Sequence, residues 1–280
     1  MCAPGRQWRW RILGTVAAFI MALHPGSSQA QEAVDVELVL AVDVSLSMSP
    51  GELEIQRHGY AAALTHPSVI EAIKNGMNGR IAVTFFEWAG DFSQRVLVPW
   101  TVVASAEDAE KVAGMLTASP SQSARRTSIS GAINFAADLF AESPYKGMRR
   151  VLDISGDGPN NQGPSVTEAR DQLVAGGITI NGLPLMTNDG FTSSYDVSDL
   201  DEYYSNCVIG GPGAFMIPVN EWSQFPEAIR RKLVIELAND DQEKVRPPIM
   251  LAQASPAYDC QIGEKMWRNR SWMWQDRQSP

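Results

Sequence analysis

The sequence predicts a three-layer α/β fold, in which helices cover both faces of a mostly parallel, doubly wound sheet of Rossmann-type topology. Short apolar runs alternate with segments of helical periodicity along most of the 280 residues. The first run, residues 36–42, is almost continuously apolar, as a strand buried on both faces requires. A three-residue turn joins the next two runs and predicts one antiparallel edge strand.

The first half of the chain supplies three of the predicted strands. The strand of residues 36–42 ends at Asp43, and two helical segments follow it. Ser105 has the character of a helix N-cap, with two acids behind it, and Pro120 stops that helix. In chain order after Asp43, the predicted elements are helices over residues 52–64 and 68–74, strands over 80–88 and 95–100, and the helix that Ser105 begins.

The second half continues the alternation and then loses it. Ser165 is expected to cap a helix with Glu168 as its capping-box partner, and Gly176 is expected to end that helix. Beyond Asn239 the regularity stops, so we expect an irregular C-terminal extension over residues 240–280. The other predicted elements are helices over residues 128–141 and 221–237, a helical start in 196–207, and strands over 150–155, 178–183 and 214–219.

The first thirty residues have the features of a secretory signal peptide. Three arginines precede the apolar run of residues 12–23, and small residues at Ser28 and Ala30 suit a cleavage site. That run is too short to cross a bilayer. We therefore expect an exported protein, periplasmic or secreted, with a single domain of residues 33–239 after cleavage near Ala30.

Charge and cysteine content restrict the partners and the compartment. Removal of residues 1–30 leaves 20 Lys+Arg against 32 Asp+Glu, so a nucleic-acid backbone is not expected as a partner. Cys2 leaves with the signal peptide, and only Cys207 and Cys260 remain. In an oxidising compartment these two are expected to form a disulfide, with two separately buried thiols as the alternative.

Acidic and hydroxyl side chains follow the predicted strands where each strand ends. Asp43, Ser45 and Ser47 come directly after the first strand, Thr127 precedes a helix, and Asp157 follows the strand of residues 150–155. Open α/β sheets bind ligands at this carboxyl edge. Hard oxygen donors of this kind suit Mg²⁺ or Mn²⁺. Helix capping without a metal is the alternative use of such residues.

This set of residues resembles the metal-ion-dependent adhesion site of von Willebrand factor A domains, whose pattern is Asp-x-Ser-x-Ser with a distant Thr and a distant Asp. The resemblance covers roughly residues 34–238. It implies that Asp43, Ser45, Ser47, Thr127 and Asp157 hold the ion. Residues 153–161 and 210–214 are also similar to a group of exported bacterial proteins of unknown function.

One feature departs from the family pattern. The family places its last aspartate directly after a Ser or Thr, whereas Gly156 stands between Ser155 and Asp157 here. Asp153 is the fallback ligand, but it lies inside the strand, about 6 to 7 Å from the edge. Asp157 is the preferred assignment.

The resemblance implies a recognition module that holds a carboxylate of a protein partner through its ion. Arg125 and Arg126 flank Thr127 and could favour an acidic partner, although two solvated arginines are the simpler interpretation. A metal-independent structural module of a cell-envelope assembly is the first alternative, and a maturation factor for an exported enzyme is another.

The sequence gives less support to an enzymatic function. It has no zinc-protease, nucleophile-elbow or phosphate-loop motif, and a Mg²⁺-dependent phosphohydrolase would need more than Asp43. The Trp- and Arg-rich tail of residues 267–280 could contact a membrane interface, but docking on the core is favoured.

Overall fold

The computed structural model describes residues 31–118, 120–187, 197–238 and 258–276, with side chains in the last range up to Asn269. The predicted signal peptide therefore lies outside the described residues, as do residues 240–257 and 277–280 of the predicted extension. In the described part of the chain, the architecture is one sheet with helices on both faces. No helix among these residues is both long and apolar enough to cross a membrane.

Five strands form the sheet in the order β3-β2-β1-β4-β5. Three pairings are parallel, and only β2 with β3 is antiparallel. This arrangement confirms the predicted fold class, including the antiparallel edge strand. The strands are β1 (Glu32–Asp43), β2 (Ile81–Trp88), β3 (Gln94–Val103), β4 (Tyr145–Gly156) and β5 (Thr179–Pro184).

Helices pack against both faces because the side chains of the central strand alternate between two apolar clusters. Val36, Leu38 and Leu40 point to one cluster, and Val39 and Ala41 point to the other. Helices α1 (Pro50–Leu64), α2 (Pro67–Lys74), α3 (Ala106–Thr117) and α7 (Phe225–Leu237) contribute to the first cluster. Helices α4 (Ile129–Ala141), α5 (Val166–Ala175) and the short α6 (Leu200–Tyr203) contribute to the second.

Local signals in the sequence explain where several helices begin. Ser49 and Glu52 form a reciprocal capping box at α1, and Ser105 accepts the Asp108 N–H at α3. The capping box predicted at Ser165 is wrong, although α5 does begin there. The Ser165 hydroxyl lies 2.9 Å from the Thr167 hydroxyl and makes no capping bond to the helix backbone.

Residues 214–219 do not form the predicted sixth strand. They run beside β5 and make isolated bridges, in which Gly182 pairs with Met216 and Leu185 with Val219. The chain enters this stretch through Gly211 and Gly213, both with positive φ. Such a turn brings the segment alongside the sheet but breaks its regular ladder.

The C-terminal extension contains a helix that the sequence did not predict. Helix α8 spans Ile262–Asp276. Immediately before it, Cys260 is joined by a disulfide to Cys207, with the two Cα atoms 5.5 Å apart. Cys207 lies in a π-helical turn, Tyr204–Val208, that continues α6. The disulfide therefore fastens the start of α8 to the second face of the sheet.

Candidate metal centre

Asp43 is the innermost residue of the candidate site. It ends β1, the central strand, and is fully buried. Its Oδ1 accepts a hydrogen bond from the Ser45 backbone N–H at 2.7 Å. Its Oδ2 has no hydrogen-bond partner among the described residues. A buried carboxylate oxygen without a partner is costly unless a proton or a cation compensates it.

Hydroxyl contacts connect the loop after Asp43 with the loop that carries Asp157. The Ser45 and Ser47 hydroxyl oxygens are 2.8 Å apart, and the Ser47 hydroxyl donates to Asp157 Oδ1 at 2.9 Å. The sequence separation between Ser47 and Asp157 is 110 residues. Four of the five predicted ligands therefore belong to one connected group, because Asp43 is bonded to Ser45.

Thr127 belongs to a loop that lies between the other two. Before it, Ala124 exchanges backbone hydrogen bonds with Val44 and Leu46, at 3.1 and 3.0 Å. Thr127 itself is buried, and its backbone N–H donates to Asn161 Oδ1 at 3.0 Å while its carbonyl accepts the Asn161 N–H at 2.8 Å. The Thr127 loop is thus tied on one side to the Asp43 loop and on the other to the Asp157 loop.

Gly156, where the sequence departs from the family pattern, lies against Asp43. A Cβ at this position would stand 2.9 Å from the Tyr204 hydroxyl, 3.0 Å from Asp43 Oδ2 and 3.3 Å from the Trp88 ring. The inserted glycine lets the chain pass close to Asp43, and two large aromatic side chains fill the space beside it. Both aromatic side chains are fully buried.

Asp153, the fallback ligand, has a different role. Its Oδ1 lies 2.8 Å from Lys232 Nζ, and both side chains are fully buried. Lys232 also contacts Glu236, whose Oε1 accepts a hydrogen bond from Asn181 at 2.8 Å. These contacts place Asp153 in a buried cluster between β4 and α7, beside Lys232 and Glu236.

Charge accumulates at the candidate site. Burial, and then the nearby Asp157 carboxylate, raise the pKa of Asp43 well above its usual range, while the Ser45 N–H acts in the opposite direction. Burial and the charges of Asp43 and Asp157 also raise the pKa of the Tyr204 hydroxyl. A buried carboxylate with an unpartnered oxygen, whose ionisation a second carboxylate disfavours, is the electrostatic setting in which a cation is stabilising.

The donor set fits a hard divalent ion. It combines two carboxylates with the hydroxyls of two serines and a threonine, all of them oxygen ligands. In the part of the chain that the structure describes, no three His, Cys, Asp or Glu side chains form a metal-binding group. A zinc centre of nitrogen and sulfur ligands is therefore not present there, and the hydroxyls would have to contribute to any ion at Asp43.

The two arginines beside Thr127 have different surroundings. Arg125 is exposed, whereas Arg126 is half-buried and has a positive φ of 78°. The Arg126 guanidinium lies over the ring of Trp267 on α8, 3.2 Å from its centroid. The sequence placed both arginines beside the site but gave no indication of the Trp267 contact.

Sequence reasoning also missed the asparagines that support the site. Asn160 Oδ1 accepts the Ser130 N–H at 3.0 Å, and Asn161 holds Thr127. The Ser128 hydroxyl accepts the Gly131 N–H at the start of α4 and lies 2.9 Å from the Gln162 carbonyl. The polar run of residues 160–162, which begins three residues after Asp157, was the available signal, because a loop that folds back on a neighbour needs such side chains.

The sheet order and the flanking helices match the von Willebrand factor A fold. Solved structures that share the fold include a pilus adhesin, SpaC, from Lactobacillus rhamnosus GG, a von Willebrand factor type A protein from Catenulispora acidiphila, and proximal thread matrix protein 1 from the mussel byssus with a zinc-occupied MIDAS motif. Their identities to this chain are 12%, 13% and 13%, and their TM-scores are 0.52, 0.50 and 0.50.

The match covers 73% of this chain in each case, and 31%, 43% and 46% of the three structures respectively. This chain therefore spans less than half the length of those proteins. A search of curated proteins finds no match. Over residues 33–241 the sequence matches the family described as Protein of unknown function (DUF1194), and the chain belongs to that family.

Proposed function

We propose that this protein is an exported recognition module that holds an acidic group of a protein partner through Mg²⁺ or Mn²⁺. Asp43, Ser45, Ser47, Thr127 and Asp157 are the proposed ligands. The observation that carries the proposal is the unpartnered, fully buried Asp43 Oδ2 beside a hydroxyl chain that ends on a second carboxylate. The mussel thread protein, with its zinc-occupied MIDAS motif, supports a cation site in this fold.

The ligand chemistry favours a carboxylate as the partner group. Two carboxylates offset the charge of a divalent ion, and three neutral hydroxyls leave it electrophilic, so an open position attracts an anionic oxygen. Arg125 and Arg126 beside Thr127 add positive charge to the same rim. The pilus adhesin among the similar structures supports a role in adhesion for the module.

Export is part of the proposal. Residues 1–30 have the pattern of a signal peptide. The Cys207–Cys260 disulfide supports an oxidising compartment, because such bonds persist in the periplasm or outside the cell and are rare in the cytosol.

Calorimetric titration of the chelator-treated protein with Mg²⁺, Mn²⁺ and Zn²⁺ tests the site. One ion should bind per chain, and Asp43→Ala should abolish the heat of binding. Asp171→Asn is the matched control, because Asp171 is an exposed acid on α5 that pairs with Arg170. Capture from the envelope fraction should then occur in Mg²⁺ and be lost in chelator and in Asp43→Ala. Capture that is unchanged in chelator would contradict the proposed function.

A metal-independent structural module is the second candidate, and one observation favours it. Ser45, Ser47 and Asp157 already satisfy one another by hydrogen bonds without an ion. That module would show no titration heat and no chelator effect. We infer that the protein is not an enzyme; Mg²⁺-dependent turnover of phosphoesters that is lost in Asp43→Ala would contradict this inference.

A further inference from the structure

Helix α8 is held beside the candidate metal centre by more than its disulfide. Tyr258, which precedes the helix, packs edge-on against Tyr203 of α6, with ring centroids 6.0 Å apart. Glu264 Oε1 accepts a hydrogen bond from Asn160 Nδ2 at 2.8 Å. Asn160 follows Asp157 by three residues and also binds Ser130. The first turn of α8 therefore docks directly on the loop that carries Asp157.

One turn further along α8, Trp267 contacts the loop that carries Thr127. Its ring lies under the guanidinium of Arg126, 3.2 Å from the centroid to Cζ. Stacking of this kind uses the face of the guanidinium and is attractive because the ring face carries negative charge density. The helix thus contacts both distant loops of the candidate site, one through Glu264 and the other through Trp267.

The contact between Trp267 and Arg126 matters because the Arg126 backbone has an unfavourable conformation. Among the described residues, Arg126 is the only residue other than glycine with a positive φ. The left-handed conformation is unfavourable for a residue that carries a side chain, and it persists only where the surroundings hold it. On one side, Asn161 fixes the following residue, Thr127, by two hydrogen bonds. On the other side, Trp267 holds the Arg126 side chain.

We propose that Trp267 is a positioning residue for the metal centre. Through Arg126 it keeps the strained turn that immediately precedes Thr127. This inference rests on the proposed function, because it assigns α8 a part in the same site. It makes the C-terminal extension a component of the metal-binding face, beyond the residues that the von Willebrand pattern supplies.

The test measures Mn²⁺ affinity of the full chain by electron paramagnetic resonance, together with melting in chelator. Trp267→Ala should weaken Mn²⁺ binding by about three- to tenfold, the range of a partly buried cation–π contact. Trp267→Phe keeps an aromatic face and should stay within about twofold of the original chain. Melting in chelator should change little in either variant, because Trp267 is only half-buried.

A double-mutant cycle with Arg126 tests the same contact from the other side, which is needed if Trp267→Ala folds poorly. Arg126→Gln removes the cation and should weaken Mn²⁺ binding as much as Trp267→Ala. The two changes together should weaken it no further than either alone, because they interrupt one contact. Lys265→Ala is the control on the same helix, since Lys265 is exposed and pairs with Asp259.

The outcomes separate this inference from the proposed function. If the original chain binds Mn²⁺ and Trp267→Ala binds it equally well, the positioning role is wrong and the metal site stands. Additive effects in the cycle, or an equal loss in Lys265→Ala, would also overturn the positioning role. If the original chain binds no divalent ion, the proposed function fails and this inference fails with it.

Discussion

At the carboxyl end of the central strand, Asp43 is a buried carboxylate whose Oδ1 accepts the Ser45 N–H and whose Oδ2 has no hydrogen-bond partner among the described residues. Its neighbour Asp157 carries the same sign of charge. Proteins generally avoid this combination, because desolvation and repulsion both oppose ionisation. We therefore interpret the arrangement as a binding site that lowers the stability of the folded chain when no ligand is bound.

Asp43→Asn should separate stability from metal binding. The amide keeps the acceptor for the Ser45 N–H and removes the buried charge, so in chelator this variant should be more stable than the original chain by about 1 kcal/mol. It should also lose the increase in melting temperature that Mg²⁺ gives the original chain. Thermal melts with Mg²⁺ and with chelator measure both effects. Lower stability in chelator would show that the negative charge is needed for folding.

The buried cluster of Asp153, Lys232 and Glu236 predicts a pH dependence of folding. Burial and the Glu236 carboxylate raise the pKa of Asp153 to about 7, against the influence of Lys232. Between about pH 4 and pH 7 the folded chain therefore holds a proton that the unfolded chain has released. Stability should decrease as the pH rises through this window.

Asp153→Asn should flatten this slope, since the amide does not titrate. Where the folded chain holds one proton more than the unfolded chain, the free energy of unfolding falls by more than about 1 kcal/mol per pH unit. Urea unfolding at several pH values in chelator, on both chains, measures the difference. Asp43 has a raised pKa in both chains, so the comparison isolates the contribution of Asp153. Equal slopes would contradict the assignment.

At the scale of elements, parallel pairing explains how residues distant in sequence meet at one edge. Strands β1, β2 and β4 run in the same direction, so the loops after Asp43, Trp88 and Gly156 emerge together. The loop of residues 120–128 differs from these, because it follows helix α3 and not a strand. Its place depends on the backbone bonds of Ala124 to β1's loop and on Asn161.

Helix α8 shows how tertiary contacts can create an element that the sequence does not announce. Its segment mixes tryptophan, arginine and methionine without the regular apolar stripe of an amphipathic helix. The disulfide at Cys260 and the contacts of Glu264 and Trp267 hold it against the core. Local pattern carries little information on contacts of this kind.

Gly263→Ala should detach the first turn of α8 from the loop that carries Asp157. A Cβ at Gly263 would stand 2.1 Å from the Asn160 carbonyl oxygen, so the helix must move. We expect a loss of stability of about 1–3 kcal/mol, although alanine is otherwise the better helix former. Urea unfolding and hydrogen exchange of the α8 amides measure it.

Gly114→Ala in α3 is the matched control, because nothing lies within 4 Å of a Cβ there. That change should stabilise the protein by about 0.5–1 kcal/mol. If both changes stabilise it equally, α8 is not in close contact with the Asn160 loop.

For the molecule as a whole, the fold was predictable because its signals are local and repeated. The apolar run before Asp43, the turn between the predicted strands of residues 80–88 and 95–100, and the Ser105 cap each specify one element, and alternation of strands and helices then leaves few topologies. Residues 214–219 were predicted wrongly, since a bridge beside β5 has the composition of a strand.

The environment of the site was less predictable than its ligand pattern. Asp43, Ser45 and Ser47 follow a spacing that can be read from the sequence. The packing of Trp88 and Tyr204 against Gly156 cannot, because it depends on three distant segments meeting. The contact between Lys232 and Asp153, which places Asp153 in a buried cluster, could not be predicted for the same reason.

The disulfide should contribute to the stability of the whole molecule. It closes a loop across 53 residues, which the chain-entropy description values at about 4 kcal/mol. Replacing Cys207 and Cys260 together by alanine should therefore lower the free energy of unfolding by about 2–4 kcal/mol, as should reduction of the original chain. Urea unfolding with and without reductant measures this, and an unchanged midpoint would contradict it.

The most direct test of a cation at the carboxyl edge is a crystal structure of the mature chain grown with Mn²⁺, with anomalous diffraction to locate the ion. We expect one Mn²⁺ peak with oxygen ligands at about 2.0–2.2 Å, bound directly or through water by Asp43, Ser45, Ser47, Thr127 and Asp157. The absence of a peak at Asp43, or a peak that Thr127 and Asp157 do not reach, would contradict the account.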